Sequence, residues 1–363
     1  MRIKIEARPA PSHRMRYLSP LIAVALTVVT GLIFSAVMAL SPLDTFHAFF
    51  IAPIDDWYGL GELGVKAVPL VLIGTGLAIG FRANVWNIGA EGQLTMGAIF
   101  GGGVGLYFYG EDGWYILPLM FLTGAVGGML WASIPAFLRT RFNTNEILVS
   151  LMLNYVAIFI LSYLVHDPWR DPDGFNFPES RLFSDSATLP IVLEGSRLHI
   201  GAFVALGAVA AAWVFVRKSF LGYQMQVAGM AQAAALYAGF KRNRMIWIGL
   251  LCGGGAAGVA GLMEVAGPIG QLLPSVSPGY GYAAIIVAFV GRLHPVGCLL
   301  AGLLMSLLYL GGEAAQMELG LPSAVTGVFQ GILLFYLLAA DLFINFRMRF
   351  DRPAGGTVAE AGS

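Results

Sequence analysis

Long apolar runs separated by short polar stretches make up nearly all of this sequence. Several runs approach the roughly 20 residues that an α-helix needs to cross a bilayer. The pattern predicts an all-α polytopic membrane protein with about ten transmembrane helices, and with broken or short helices in both halves of the chain. The predicted helices cover residues 20–40, 62–81, 88–109, 114–138, 147–165, 199–217, 245–263, 280–291, 295–312 and 323–345.

Composition supports this class and excludes others. Hydrophobic residues make up 57% of the chain and charged residues 12%, whereas soluble domains carry roughly 25% charged residues. The formal net charge is zero, which gives no indication of a nucleic-acid partner. Cys252 and Cys298 both lie in apolar runs, where we expect them to pack as small hydrophobic residues rather than form a disulfide.

Basic residues set the expected orientation, because cytoplasmic loops carry an excess of Lys and Arg. The first residues of the chain are basic, and ten alternating helices place most other Lys and Arg residues on the same side. Both termini are therefore predicted to be cytoplasmic. The predicted division is a basic tail at residues 1–19, a transmembrane domain at 20–346 and a second tail at 347–363.

Two polar segments between helices are long enough to matter. Residues 166–198 form the predicted external loop, which is rich in Pro and mixed charge and is interpreted equally well as a docking or lid surface or as a solvated connector. Residues 218–244 form the largest predicted cytoplasmic loop. Its middle is rich in Ala, the best helix former, so the sequence predicts a short helix beneath the membrane.

Polar residues interrupt the apolar pattern at two places, FRANVWNIG around residue 85 and GPIGQLLPSVSPGYGY before the short helix at 280–291. Broken segments at membrane depth persist only where protein or a water-filled cavity satisfies their backbone groups, and paired breaks indicate a translocation path. The predicted substrate path comprises Asn84, Trp86, Asn87, Glu91, Gln93, Gln271, Tyr280 and Tyr282.

Glu91 admits three interpretations. It lies near the start of a predicted helix, whose positive end favours an anion by about 0.3–1 kcal/mol. It is also close enough in sequence to pair with Arg82. Alternatively, Asn87, Glu91 and Gln93 face the path and contact a polar substrate. A charge at the membrane centre costs on the order of 2.5–3.5 kcal/mol, which is more than helix capping recovers, but capping is sufficient if Glu91 lies near the inner surface. The structural interpretations are therefore favoured over substrate contact.

Residues for catalysis are not grouped anywhere in the sequence. The histidines have no metal-ligand spacing with another His or Cys, and there is no G-x-S-x-G motif. No Lys follows a Gly, which excludes a Walker A phosphate loop. The sequence therefore predicts no catalytic site, no metal site and no cofactor bound by this chain. If ATP drives the protein, a separate subunit must hydrolyse it.

Three motifs carry a resemblance to a known family. NIGAEGQ at 87–93, GYQMQVAGMAQAAALYAGF at 222–240 and GYGYAAIIVAFVGRLHPVG at 279–297 occur in the family's order. The chain resembles, from about residue 20 to 345, permease subunits of bacterial ABC importers for nucleosides and simple sugars. NIGAEGQ is similar to the branch associated with basic-membrane-lipoprotein binding proteins. The second motif departs from the family at Gln226, where Arg is common, and at Ala231–Ala233, which replace a more polar stretch.

The resemblance implies a function and a set of partners. The expected protein is a transport subunit of the bacterial inner membrane and not an enzyme, and it translocates nucleosides, or related simple sugars, delivered by an external binding lipoprotein. A cytoplasmic ATPase subunit uses the ATP, and a second permease chain forms a heterodimer with this one in membrane lipid. The expected ATPase-coupling residues are Gln226, Gly229, Ala234, Ala235, Tyr237 and Gly239.

Two other classes remain open on the residues alone. A gradient-driven secondary transporter or channel for a small polar solute needs acids or histidines deep in the helices, and Glu91 and Glu264 are the available candidates. A membrane-embedded assembly protein is the other. Dependence of uptake on ATP rather than on an ion gradient separates the importer from the secondary transporter.

Overall fold

The chain is described from a computed structural model that covers residues 2–8 and 12–351. The predicted tails fall partly outside these residues, at position 1, at 9–11 and at 352–363. Two strands are present, β1 (Arg2–Ala7) and β2 (Phe346–Asp351). The α-helices are α1 (His13–Val37), α2 (Pro42–Phe50), α3 (Trp57–Arg82), α4 (Ala90–Tyr107), α5 (Ile116–Phe142), α6 (Glu146–His166), α7 (Gly201–Lys218), α8 (Phe220–Met230), α9 (Gln232–Tyr237), α10 (Arg242–Glu264), α11 (Tyr280–Val290), α12 (Pro295–Leu319) and α13 (Ala324–Asn345).

Each of the ten predicted transmembrane segments coincides with one of these helices, and the polytopic all-α class is confirmed. Among the described residues, eight helices are long and apolar enough to cross a membrane: α1, α3, α5, α6, α7, α10, α12 and α13. The other two predicted segments are α4, which carries the polar residues at its start, and α11. With 11 residues, α11 is about 16 Å long, roughly half of a hydrocarbon core.

The chain divides into two compact units. The described residues of the first unit fall within 2–43 and 327–351, and in it α1 packs beside most of α13. Ser19 Oγ donates a hydrogen bond to Asp341 at 2.8 Å, and the hydroxyls of Thr30 and Tyr336 lie 2.8 Å apart. β1 and β2 pair as an antiparallel ribbon, which the apolar pattern did not predict.

The second unit comprises residues 44–326 and contains the helices around α3. Within the membrane-crossing part of α3, 83% of the residues are buried. α4, α5 and α10 approach one another at backbone contact through glycines: a Cβ on Gly97 would lie 2.1 Å from the Gly258 carbonyl oxygen, and one on Gly128 would lie 2.1 Å from that of Gly254. Small residues therefore allow close helix packing, as is usual where helices associate in lipid.

Both predicted breaks are present. α3 ends at Arg82, Asn84 adopts a positive φ of 57°, and an irregular connector leads to α4. α10 runs into a π-helical turn at Val265–Ile269, and an irregular segment then leads to α11. Breaks of this kind are typical of functional sites in membrane proteins.

The two long polar segments, residues 166–198 and 218–244, form neither a plain loop nor a single helix. The predicted cytoplasmic helix consists of two, α8 and α9, because the backbone leaves the helical region at Ala231 (φ −149°). The predicted external loop hydrogen-bonds along the break after α10: the Leu189 amide donates to Ala266 O at 2.8 Å, and the Phe183 amide donates to Gly270 O at 2.8 Å. This part of the loop is therefore packed against the helices rather than fully solvated.

Candidate functional site

The starts of α4 and α11 meet at Glu91. Oε2 of Glu91 accepts a hydrogen bond from the Gly281 amide at 2.7 Å, and the Ser277 side chain also hydrogen-bonds to the carboxylate. A Cβ on Gly281 would lie 2.3 Å from the Glu91 nitrogen, so only glycine permits this approach. Glu91 thus lies in the first turn of α4 and accepts from the first turn of α11, where the positive ends of two helices favour an anion.

Asn87 and Gln93 form a reciprocal amide pair beside Glu91. Asn87 Nδ2 donates to Gln93 Oε1 at 2.8 Å, and Gln93 Nε2 donates to Asn87 Oδ1 at 3.0 Å. Asn87 Oδ1 also accepts from the Gly89 amide at 3.0 Å. Both side chains are buried. Their donors and acceptors are therefore used mainly within the protein.

Asn154 on α6 holds the connector and the start of α4. Its Oδ1 accepts from the Gly92 amide at 2.9 Å, and its Nδ2 donates to Ile88 O at 3.0 Å and to the Tyr282 hydroxyl at 3.0 Å. Asn154 thus satisfies a backbone donor that the start of a helix leaves open. This role was not predicted from the sequence, although Asn154 is the one side-chain amide within a largely apolar helix, α6.

Together these residues form what we call the polar junction, defined as Asn87, Glu91, Gln93, Asn154 and Ser277. It lies where two helices begin inside an apolar bundle. Asn87, Glu91, Gln93 and Asn154 are all buried, and buried backbone groups must find partners within the protein. The polar junction provides them.

Asn84 and Trp86 lie beside the junction rather than in it. Trp86 Nε1 donates to Asn84 Oδ1 at 3.0 Å, and the indole lies against the rings of Phe81 and Phe289 at centroid distances of 5.2 and 5.7 Å. Its backbone amide donates to Glu146 at 3.4 Å. Asn84 is exposed and Trp86 is half-buried.

The remaining three predicted path residues occupy different surroundings. Tyr280 is buried, with its ring 5.5 Å from that of Tyr309. Tyr282 bonds to Asn154 yet is 38% exposed. Gln271 Nε2 donates to Glu179 Oε2 at 3.0 Å on the predicted external side. The structure therefore brings Asn87, Glu91, Gln93 and Tyr282 together around Asn154 and leaves Gln271 elsewhere.

A cluster of charged side chains, which the sequence did not predict, lies near the predicted external ends of α3 and α12. Arg197 donates to both oxygens of Glu62, at 2.9 Å through Nε, and this carboxylate raises the pKa of Arg197 above its usual range. Lys66 Nζ lies 2.7 Å from Glu313 Oε1. Glu264, at the end of α10, lies within electrostatic range of Lys66 and Arg197.

His199 fixes the start of α7 next to this group. Its Nδ1 accepts from the Gly201 amide at 3.1 Å, and the ring packs against Gly267. Burial lowers the pKa of His199 to about 4, so the imidazole is neutral at pH 7. Within residues 2–8 and 12–351, no three His, Cys, Asp or Glu residues group as metal ligands do.

The six predicted coupling residues divide by exposure. Gln226, Ala234 and Tyr237 are exposed, Tyr237 at 97%. Gly239 has a positive φ of 78° and ends the segment after α9. Two others face the body of the protein: Ala235 is buried, and a Cβ on Gly229 would lie 1.9 Å from the Arg82 carbonyl oxygen. α8 therefore packs on the end of α3, immediately before the connector to α4.

The known proteins that this chain resembles are permease components of transporters. A family model described as "Branched-chain amino acid transport system / permease component" matches residues 60–338. The glucose ABC transporter permease protein TsgB13 of Haloferax volcanii is 34% identical over 99% of this chain and 97% of its own length. The guanosine ABC transporter permease protein NupP of Bacillus subtilis is 33% identical, covering 91% of this chain and 95% of its own.

A third relative, the nucleoside ABC transporter permease protein NupB of Lactococcus lactis, is 26% identical over 89% of this chain and 90% of its own length. Each of these three organisms also has a second matching permease protein whose name gives the same substrate.

Proposed function

Because the chain belongs to the permease-component family that matches residues 60–338, we propose that, as the membrane-spanning subunit of an ABC importer, it carries nucleosides. Its relatives are ABC transporter permeases, and eight helices in the described part of the chain are long and apolar enough to cross a membrane. It is therefore a multi-pass protein of the inner membrane and a transport component rather than an enzyme. It associates with the other components of an ABC transporter.

The names of the relatives support the choice of nucleosides as substrate. Two of the three relatives described are named for guanosine or nucleosides, and the guanosine permease aligns over 91% of this chain. Glucose is the second candidate, because the glucose permease is 34% identical over 99% of this chain.

Uptake measurements separate these substrates. Cells that contain the other transporter subunits, either with or without this chain, are given labelled guanosine, adenosine or glucose. We expect chain-dependent uptake of the nucleosides that stops when ATP is depleted and continues when ion gradients are collapsed. Uptake of glucose alone would favour the second candidate. Uptake that follows an ion gradient would contradict the importer.

The translocation path, in this proposal, runs past the exposed face of Tyr282 and the half-buried Trp86. Aromatic faces suit nucleobases, because every base has a π-face that stacks. Asn87, Glu91 and Gln93 support the path by holding the helix starts in place, since their hydrogen bonds are made within the protein. Asn84 lies at the predicted cytoplasmic end of the path, and Tyr280 and Gln271 lie towards the other end.

Coupling to ATP is assigned to α8 and α9, again as a proposal. The ATPase subunit contacts the exposed side chains of Gln226, Ala234 and Tyr237, and it uses the ATP. The packing of Gly229 on the Arg82 carbonyl supports a direct mechanical link, because a displacement of α8 bears on the end of α3 and so on the connector. Alternating access then follows from the two packings that ATP favours in turn.

The partner permease in this proposal is a different chain, so that the path lies in a heterodimer. The support is that the three organisms named above each have two permease proteins of one substrate name. An external binding lipoprotein delivers the substrate. Co-purification with a tagged copy of this chain identifies the partners, and recovery of only a second copy of the same chain would contradict the heterodimer.

A further inference from the structure

A cavity of about 100 Å³ lies between the coupling helices and the connector before α4. Its wall is formed by the connector, the end of α5, α8, α9 and the start of α10. The polar side chains in this wall are those of Asn84, Arg139, Gln232 and Arg242. None of the lining residues is acidic.

The charges around this cavity favour an anion. Arg139 forms an ion pair with Glu146, but its Nε–H is buried and has no acceptor among the described residues. Arg242 lies close enough to Arg139 for the two guanidinium groups to repel each other. A negative ligand between them removes that repulsion.

The backbone adds to this positive potential. Arg242, Met245 and Ile246 line the cavity from the first turns of α10, and no side chain caps that end of the helix. The amino end of a helix presents open N–H groups and the positive end of its dipole, which together bind phosphates and other anions. The helix start and the two arginines therefore act on the same small space.

The volume of the cavity and the donors in its wall limit the kind of ligand that it can bind. A single water needs about 10–15 Å³ of such space, so the cavity has room for a group of several non-hydrogen atoms. Arginine recognises phosphate oxygens through paired N–H donors. Gln232 and Asn84 add amide groups to the wall. We propose that this cavity binds a phosphate group, supplied by inorganic phosphate, by a free phosphomonoester or by a lipid headgroup.

Such a ligand has a mechanical consequence. It contacts the connector after α3, the end of α5, the start of α10 and the coupling helix α9 at the same time. Bound phosphate therefore holds α9 against the body of the permease. This role is independent of the identity of the transported substrate.

The test uses the full chain in a non-ionic maltoside detergent, which contains no phosphate, with phosphate added at constant ionic strength. We expect phosphate, but not chloride, to raise the thermal unfolding temperature in a saturable way. Arg242→Gln should weaken the apparent affinity about tenfold or more, because it removes a charged donor. Arg244→Gln is the matched control, since Arg244 is also exposed at the start of α10 but does not line the cavity.

A second arm identifies the source of the phosphate. If nanodiscs containing phosphatidylglycerol give the same Arg242-dependent stabilisation without added phosphate, and added phosphate then has no effect, a lipid headgroup fills the site. If stabilisation requires inorganic phosphate or a nucleoside monophosphate both in the detergent and in these nanodiscs, the ligand is free. The absence of any phosphate-specific stabilisation overturns the proposal, as does an equal loss in Arg242→Gln and Arg244→Gln.

Discussion

The polar junction and helices α8 and α9, to which we assign coupling as a proposal, use similar residues in opposite ways. Both contain amides and small residues, but Gln93 in the junction is 1% exposed and paired with Asn87, whereas Gln226 on α8 is exposed. Gly281, which donates to the junction residue Glu91, lies in direct contact with the α4 backbone. In the coupling helices, Ala234 and Tyr237 are exposed.

This difference indicates what a polar residue in an apolar chain does at each place. Within the buried bundle, irregular backbone must be satisfied by protein groups, so the amides and the carboxylate at the junction are used to start two helices. Outside it, water satisfies the backbone, and exposed apolar side chains instead suit a protein partner. The junction should therefore respond to mutation with a loss of stability, and the coupling helices with a loss of transport.

The largest expected effect comes from closing the space at the junction. In Gly281→Val, the new side chain would overlap the Glu91 backbone, where a Cβ already lies within 2.3 Å of the nitrogen. We expect destabilisation of about 3 kcal/mol or more and loss of folded protein, measured by fluorescence-detected size exclusion. Gly207→Val on α7 is the control, because a Cβ there meets nothing within 4 Å. Equal yields of the two variants would contradict the close approach.

A smaller loss is expected when Asn154 is replaced. Asn154→Leu leaves the Gly92 amide and the Ile88 carbonyl without their partner. Each buried unsatisfied group costs about 1–3 kcal/mol, so the thermal unfolding temperature should fall clearly. Asn154→Asp restores the acceptor for Gly92 but not the donor for Ile88, and it should not recover full stability. An unchanged unfolding temperature in Asn154→Leu would show that water replaces the side chain.

Much of this architecture follows from local sequence, and the rest depends on distant contacts. The ten helix positions were predicted because hydrophobic length is a property of each segment, and the ABC permease assignment is confirmed by the family and its relatives. The meeting of Glu91 with Gly281 joins residues far apart in the chain, which no periodicity reveals. The break at Ala231 falls two residues after Gly229, within a stretch of Ala residues that predicts one continuous helix. The substrate path, the coupling residues and the orientation remain predictions.

The coupling helices should lose transport without losing stability. Ala234→Arg adds a long charged side chain at an exposed position, so the unfolding temperature should not change. Nucleoside uptake, and stimulation of ATP hydrolysis in the assembled transporter, should fall about tenfold, equivalent to about 1.4 kcal/mol. Ala235→Arg is the contrasting neighbour: Ala235 is buried, and this variant should unfold at a lower temperature. Normal uptake in Ala234→Arg would leave α9 a passive connector.

The smallest expected effect is that of Glu91→Gln, a variant that distinguishes a structural carboxylate from one that contacts substrate. Glu91→Gln keeps the size of the side chain and one acceptor for the Gly281 amide, but it removes the negative charge at two helix starts. A charge at one helix end contributes about 0.3–1 kcal/mol, so a small fall in unfolding temperature is expected. The relative uptake of guanosine, adenosine and inosine should not change.

Glu194→Gln is the matched control for this experiment, because Glu194 is exposed in the predicted external loop and its neutralisation should leave stability as it was. An altered order of substrates in Glu91→Gln at wild-type stability would move Glu91 into the path. In that case the junction would resemble the coupling helices in offering polar groups to a partner, and the contrast between the two regions would hold only for Asn87, Gln93 and Asn154.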